Sequence, residues 1–420
     1  MLKSIFYDIK SIKKVTLSAL LATCIGIFTS IVVFLFLASL KILNTYLLKE
    51  HISFLFLPIG LMLNNYIINK FDKDAKGYGT EKVITAIREN KGHIGFKIIP
   101  TKILATIITL SFGGSLGKVG PSAQLGGACA SFITENFHIK NNKKYLICGI
   151  SAGFSTILGA PIASSLFAVE ILAMDKIHYN LLFLSAISSI SSFKFIQFLG
   201  YNYHFNNFYK INDKDFLLLW ESIFMGIALG IVGYIFIFTI AYFKDIFFKI
   251  KNDTIKGFLG GLSLILIYLI FKDKYDMIKF FYIGEDEILK NLSGKNAMPF
   301  DFLMKILFTS ITTACGGSGG LISPILFIGS SFGNFLGQVF NKNTTLFAAS
   351  GIVSLLAACT NAPIASCVLA LELFGKQIGV YSSISCIMSF IIASRISVYM
   401  KDFRNTDNIS SFKDGDIDKI

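Results

Sequence analysis

Charge is scarce in this chain and histidine scarcer still. Only 15% of its 420 residues are Asp, Glu, Lys or Arg, and five are histidine. The histidines show no metal-ligand spacing, and none follows His204, so a metal site or a histidine-activated nucleophile in the C-terminal half is not expected. Seven cysteines (24, 129, 148, 315, 359, 367 and 386) sit in apolar stretches without a CxxC pair, which reads as packing rather than redox chemistry. A removable leader is not expected either, because the apolar run from Val15 is too long and no small-residue cleavage site clearly follows it. No basic segment is interleaved with stacking aromatics, which excludes nucleic acid as a partner. No cofactor is implied, and with no nucleophile–base pair or metal cluster an enzyme is the class least expected.

Apolar sequence is what the chain has in abundance. It is 53% hydrophobic with a mean hydropathy of +0.64, more than a soluble protein of this size needs for its core. Residues 16–40, 53–69, 179–199, 215–245 and 256–271 read as spanning helices. Lys3, Lys10, Lys13 and Lys14 precede the first of them and place the N-terminus on the cytoplasmic side. The formal net charge of +13 reads as positive-inside loops, with a basic funnel for anions as the functional addition.

The chain also repeats itself. GGSLGKVGPSAQLGGA (113–128) returns as GGSGGLISPILFIGSS (316–331), and GAPIASSLFAVEIL (159–172) returns as NAPIASCVLALELF (361–374). Gly113, Gly114, Ser115, Gly117, Pro121 and Gly126 recur as Gly316, Gly317, Ser318, Gly320, Pro324 and Gly329. Pro161 and Glu170 recur as Pro363 and Glu372. Such an ordered match in apolar surroundings is a signature of duplicated membrane transport folds. One transmembrane domain over 1–400 is expected, with halves at about 53–200 and 215–399, joined by the polar stretch 201–215 and closed by a short cytoplasmic tail at 401–420.

Many apolar segments inside the halves are short: 100–112, 121–134, 161–174, 302–315, 324–340 and 345–358. Gly or Pro interrupts each before it crosses a hydrocarbon core of about 30 Å. Broken helices survive in a bilayer where their ends face protein or a water-filled cavity. A helix that starts at mid-membrane leaves its first N–H groups unpaired and turns its positive dipole end to the gap. Glycine permits close backbone approach, and the result is an anion site made of neutral groups. A fixed cation would hold the ion too tightly for rapid release, whereas conduction needs only moderate affinity.

Three other motifs fail on named residues. Gly113 to Lys118 has the form of a phosphate loop but is one residue short, and Val119 stands where a magnesium-binding hydroxyl belongs. Gly77-Tyr78-Gly79 has the form of a potassium filter, but charged FDKDAK precedes it. Gly316-Gly317-Ser318-Gly319 has the form of a protease motif without a base.

The four motifs GGSLGKVGPSAQLGG, GAPIASSLFAVEI, GGSGGLISPILFIG and NAPIASCVLALEL resemble the CLC family of chloride channels and chloride/proton antiporters, from about Gly77 to Tyr399. The resemblance implies an all-α integral membrane protein with the inverted-repeat CLC fold of broken and re-entrant helices. It also implies a homodimer with one anion pathway per subunit. The family's gating glutamate falls at Val119, and the antiporters' internal proton-accepting glutamate, one residue after Glu170, falls at Ile171. Neither side chain titrates. Glu170 itself has a repeat partner in Glu372, which points to a structural carboxylate that caps or braces helices. The family's first anion loop, usually Gly-Ser-Gly-Ile-Pro, here reads Gly77-Tyr78-Gly79-Thr80-Glu81. Either the Tyr78 hydroxyl or the backbone N–H groups of Gly79 and Thr80 serve the ion. Tyr399 matches the family's pore tyrosine, and Lys118, Val119, Gly120, Leu321, Ile322 and Ser323 supply the half-helix starts.

The expected function is passive chloride conduction in the plasma membrane, uncoupled from protons, with both termini cytoplasmic. The alternatives are a fluoride-selective or residually proton-coupled transporter of the same family, and a non-conducting scaffold that has kept the fold. The retained glycines and prolines of both anion loops argue against a scaffold.

Overall fold

The computed structural model describes residues 2–47, 52–88, 92–139, 142–171, 179–201, 203, 218–393 and 397–399. The tail at 401–420 and most of the 201–215 connection lie outside the described residues. Fifteen α-helices account for almost all of the described chain, and no β-strand forms among the described residues.

In chain order the first half contains α1 (Leu2–Leu47), α2 (Leu57–Phe71), α3 (Thr80–Arg88), α4 (Ile98–Ser111), α5 (Val119–Asn136), α6 (Asn142–Leu158), α7 (Pro161–Glu170) and α8 (Tyr179–Phe198). The second half contains α9 (Leu218–Phe248), α10 (Asp253–Phe271), α11 (Glu285–Leu292), α12 (Asp301–Ala314), α13 (Ile322–Val339), α14 (Thr344–Thr360) and α15 (Pro363–Ala393). α1 packs on α6 and α8 as α9 packs on α14 and α15, so the structural repeat begins at α1 rather than at residue 53.

Among the described residues five helices are long and apolar enough to cross a membrane, including 12–43 of α1, 219–248 of α9, α10 and α15. The expected span 53–69 is not one of them. A 3-10 turn at Ser53–Phe56 precedes α2, and Pro58, which lacks an N–H, sits in the first turn of that 15-residue helix. The span at α15 escaped the hydropathy reading because polar KQIGVYSS divides it, and the helix kinks there at Gly375 (φ 81°, ψ 176°).

Small residues bring the helices of each half together. A Cβ on Gly126 would overlap the Gly149 carbonyl where α5 crosses α6, and one on Gly329 would overlap the Gly351 carbonyl where α13 crosses α14. In membranes this close approach replaces the hydrophobic drive available in water. The repeated turns before α7 and α15 use Gly159 (φ 71°) and Asn361 (φ 56°), the two residue types that enter the left-handed region most readily.

The candidate anion site

The two copies of the glycine motif fold alike and meet. Each leaves its preceding helix through a left-handed glycine, Gly113 (φ 91°) or Gly316 (φ 97°), and each turns into a helix, α5 or α13. Where they pass, the Gly117 N–H donates to the Gly320 carbonyl at 2.8 Å, and the Gly320 N–H returns the bond at 2.6 Å. No side chain fits between them. A Cβ on Gly117 would overlap the Ser323 side chain, and one on Gly320 would overlap the Gly120 amide nitrogen. The starts of α5 and α13 therefore lie against each other, with Lys118 and Leu321 in near-identical backbone conformations (φ −94° and −87°, ψ −16° in both). The first-turn N–H groups of Val119, Gly120, Ile322 and Ser323 have no acceptor inside their own helices.

Each motif is held by the opposite half. The Ser115 hydroxyl bonds Thr309 at 3.1 Å, and the Ser318 hydroxyl bonds Thr106 at 3.2 Å. The Ser115 N–H donates to the Thr312 hydroxyl (3.3 Å), and the Ser318 N–H donates to Thr109 (3.1 Å). All four threonines obey the 203-residue spacing of the glycines, since Thr106 pairs with Thr309 and Thr109 with Thr312. At about 1 kcal/mol net for each bond, the set fixes the register of the halves as much as it stabilises them. Sequence reasoning passed over these residues because they precede the recognisable motif; the repeat spacing was the signal that would have found them.

The loop Gly77–Thr80 closes a third side. A Cβ on Gly120 would overlap the Tyr78 carbonyl oxygen, and one on Gly79 would lie 2.6 Å from the Gly120 carbonyl oxygen. Tyr78 is buried, with the Lys244 ammonium of α9 4.6 Å from its ring centroid. Among the described residues its hydroxyl has no hydrogen-bond partner. It is one of several buried polar atoms without a partner among the described residues.

Tyr399 is buried beside the Thr80 side chain. The segment carrying it is tied down by the Val398 N–H, which donates to the Cys359 carbonyl at 2.9 Å. Tyr399, Ile171, Glu170, Ile84 and Asn361 line one small cavity. Tyr78, Gly79, Thr80, Val119, Gly120, Leu321, Ile322, Ser323 and Tyr399 thus gather around one region. Lys118 takes part through its backbone, because its ammonium turns away to the Glu285 carboxylate at 2.8 Å, with Tyr201 alongside.

The retained glutamates are helix caps. Both Glu170 oxygens accept N–H bonds at the start of α15, from Ile364 (3.0 Å) and Ala365 (2.8 Å). Both Glu372 oxygens do the same for α7, from Ile162 (3.0 Å) and Ala163 (2.7 Å). A carboxylate at a helix N-terminus satisfies orphan donors and complements the dipole. Each half caps the other.

A family description, voltage gated chloride channel, matches residues 59–394. The chain belongs to the CLC family. It is 29% identical over 330 residues to a chloride/fluoride channel protein of Pseudomonas syringae pv. tomato, covering 76% of this chain and 72% of that one. It is 25% identical to the H(+)/Cl(-) exchange transporter ClcA of Yersinia pseudotuberculosis, covering 85% and 78%. Among solved structures, a CLC-type fluoride/proton antiporter superposes with a TM-score of 0.85 at 26% identity, covering 91% of this chain and 97% of that one. A slow cyanobacterial Cl−/H+ antiporter shares the fold with a TM-score of 0.78 at 18% identity. This CLC chain is accordingly an all-helical membrane protein of an anion-transporting family. Its relatives include a channel and proton-coupled exchangers, so family membership leaves coupling to the residues.

Proposed function

We propose that this protein conducts chloride passively through one pathway per subunit of a homodimer, without stoichiometric proton movement. The observation that carries the reading is the junction of α5 and α13 at Gly117 and Gly320, with Val119 as the first residue of α5. An anion there meets the first-turn N–H groups of α5 and α13, those of Thr80 and Glu81 at α3, and the hydroxyls of Tyr78 and Tyr399. Neutral donors of this kind offset dehydration yet let the ion leave.

The family resemblance puts the gating glutamate at Val119, where a carboxylate would compete with the ion and take up a proton. Valine does neither. Ile171, in the Tyr399 cavity, offers no relay on the other side. Glu170 is close by, but its two oxygens are engaged in capping. The protein is thus a transport protein rather than an enzyme, with residues 1–400 as one transmembrane domain in the plasma membrane. The lysines before α1 favour a cytoplasmic N-terminus and, with it, a cytoplasmic tail at 401–420.

A second reading is fluoride selectivity. Tyr78 replaces the serine of the first anion loop, and two of the relatives carry fluoride in their descriptions. A phenol O–H is a stronger donor than an alcohol and suits a small, tightly hydrated anion. Parallel fluoride and chloride efflux from proteoliposomes with a pH readout tests both readings. Chloride flux with no uphill proton movement supports the channel; fluoride flux at least tenfold faster than chloride replaces chloride with fluoride as the substrate.

A further inference from the structure

Two lysines carry the 203-residue spacing of the pore motif, Lys102 in α4 and Lys305 in α12, and both are fully buried. Lys102 donates to the carbonyls of Ala75 (2.9 Å) and Gly77 (2.8 Å). Lys305 donates to the carbonyls of Phe280 (3.2 Å) and Tyr282 (2.9 Å). Those acceptors are repeat partners as well. Ala75 ends one 3-10 turn and Phe280 another, Gly77 (φ 89°) and Tyr282 (φ 58°) are both left-handed, and Gly79 (φ 88°) and Gly284 (φ 81°) lead into α3 and α11. The Phe280–Gly284 loop is thus the second half's copy of the loop that carries Tyr78.

The copy stands beside the starts of α5 and α13. Glu285, directly after Gly284, holds Lys118 at the start of α5. The Lys305 ammonium lies 4.9 Å from the ring centroid of Phe327, one turn beyond Ser323 in α13. Among the described residues no carboxylate comes within ion-pair distance of Lys305 or Lys102. A buried ammonium is strongly unfavourable unless an opposite charge is near, and two carbonyls with one aromatic face offset that only in part.

We propose that Lys305, in its protonated form, takes the transported anion as its counter-ion and so sets anion affinity at the Glu285 end of the pathway. Set behind the wall by Phe280 and Tyr282, it attracts the ion through a low-dielectric layer without ligating it, so affinity rises and release stays possible. The inference rests on the reading that an anion passes between the starts of α5 and α13. If the ion passes about 10 Å from the ammonium, an effective dielectric near 20 makes the charge worth about a 15-fold change in anion affinity.

The alternative role is a loop brace, and two variants separate it from a charge. Lys305→Gln keeps donor hydrogens for the two carbonyls and loses the charge; Lys305→Met loses both. Anion affinity is read by isothermal titration of the purified full chain with sodium chloride and sodium fluoride, beside thermal stability and liposome flux. Both variants are expected to weaken binding by about 10-fold or more, with Lys305→Gln retaining more stability than Lys305→Met. Lys290→Met, at an exposed Lys290–Glu287 pair, serves as the control and is expected within twofold of the wild type. Wild-type affinity in Lys305→Gln overturns the proposal and leaves the pore reading intact. A wild-type chain that neither binds nor moves either anion overturns the pore reading itself.

Discussion

Glu170 is the carboxylate that most resembles a proton carrier and that the structure uses for another purpose. Replacing it with alanine strips acceptors from the Ile364 and Ala365 N–H groups at the start of α15. A hydrogen bond to a charged group contributes about 1.5–3 kcal/mol, and a buried donor left unsatisfied costs about 1–3 kcal/mol. Two such donors set the loss at about 3–5 kcal/mol. Glu170→Gln keeps one acceptor oxygen but points its amide hydrogens at the other N–H, so about half that loss is expected. Glu372→Ala exposes the same two groups on α7, and because Glu372 is more accessible its loss should be smaller, about 2–3 kcal/mol. The two caps brace the same α7–α15 pair from either side, so the double variant should depart from additivity by more than about 0.5 kcal/mol. Unfolding of the detergent-purified chain, followed by circular dichroism and gel filtration, reads all four. Stability within about 0.5 kcal/mol of wild type for Glu170→Ala, together with an altered proton flux, would refute the capping argument and return Glu170 to the transport chemistry.

Val119→Glu should install pH sensitivity. An anionic carboxylate at the start of α5 competes with the ion, so flux at neutral pH falls by about tenfold or more and recovers as the carboxyl protonates on acidification; the sign comes from the carboxylate's reference pKa near 4.3 and its further lowering by a helix N-terminus. Coupling should stay absent because Ile171 remains. Gly120→Ala pushes a methyl group into the Tyr78 carbonyl and towards the Gly320 Cα, 2.9 Å away, and should cost about 1–3 kcal/mol of stability along with most of the flux. Ser115→Ala and Ser318→Ala each remove a cross-half bond to a threonine, and the Ser318 hydroxyl has only a long further contact with the Ala75 carbonyl (3.5 Å), so calorimetry should find similar losses of about 1 kcal/mol. A large inequality would show that the halves are not held symmetrically.

The repeat made the two half-helix starts legible because its glycines and prolines survive as letters. Gly117 and Gly320 could be named in advance as parts of two half-helix starts. That they bond each other is a tertiary fact that no local pattern contains. Thr106, Thr109 and Lys102 share the 203-residue spacing with Thr309, Thr312 and Lys305, yet they lie in ordinary apolar helix sequence and carry no motif. The Phe280–Gly284 loop was beyond reading for a further reason. Its role is played by carbonyl groups, so Ala75 and Phe280 serve alike while sharing no side-chain chemistry. Hydropathy found α1, α8, α9 and α10, which are long and apolar, and failed at α2, whose 15-residue helix begins only at Leu57, and at α15, where a kinked polar stretch divides the apolar run.

The central claim concerns coupling, and one measurement addresses it directly. Proteoliposomes are loaded with chloride, diluted into low-chloride buffer at symmetric pH, and followed with a chloride electrode and an internal pH dye while a potassium/valinomycin clamp holds the voltage. The account predicts chloride efflux with no proton movement against its gradient, at every clamped voltage. Proton accumulation driven by the chloride gradient at a fixed ratio would contradict it.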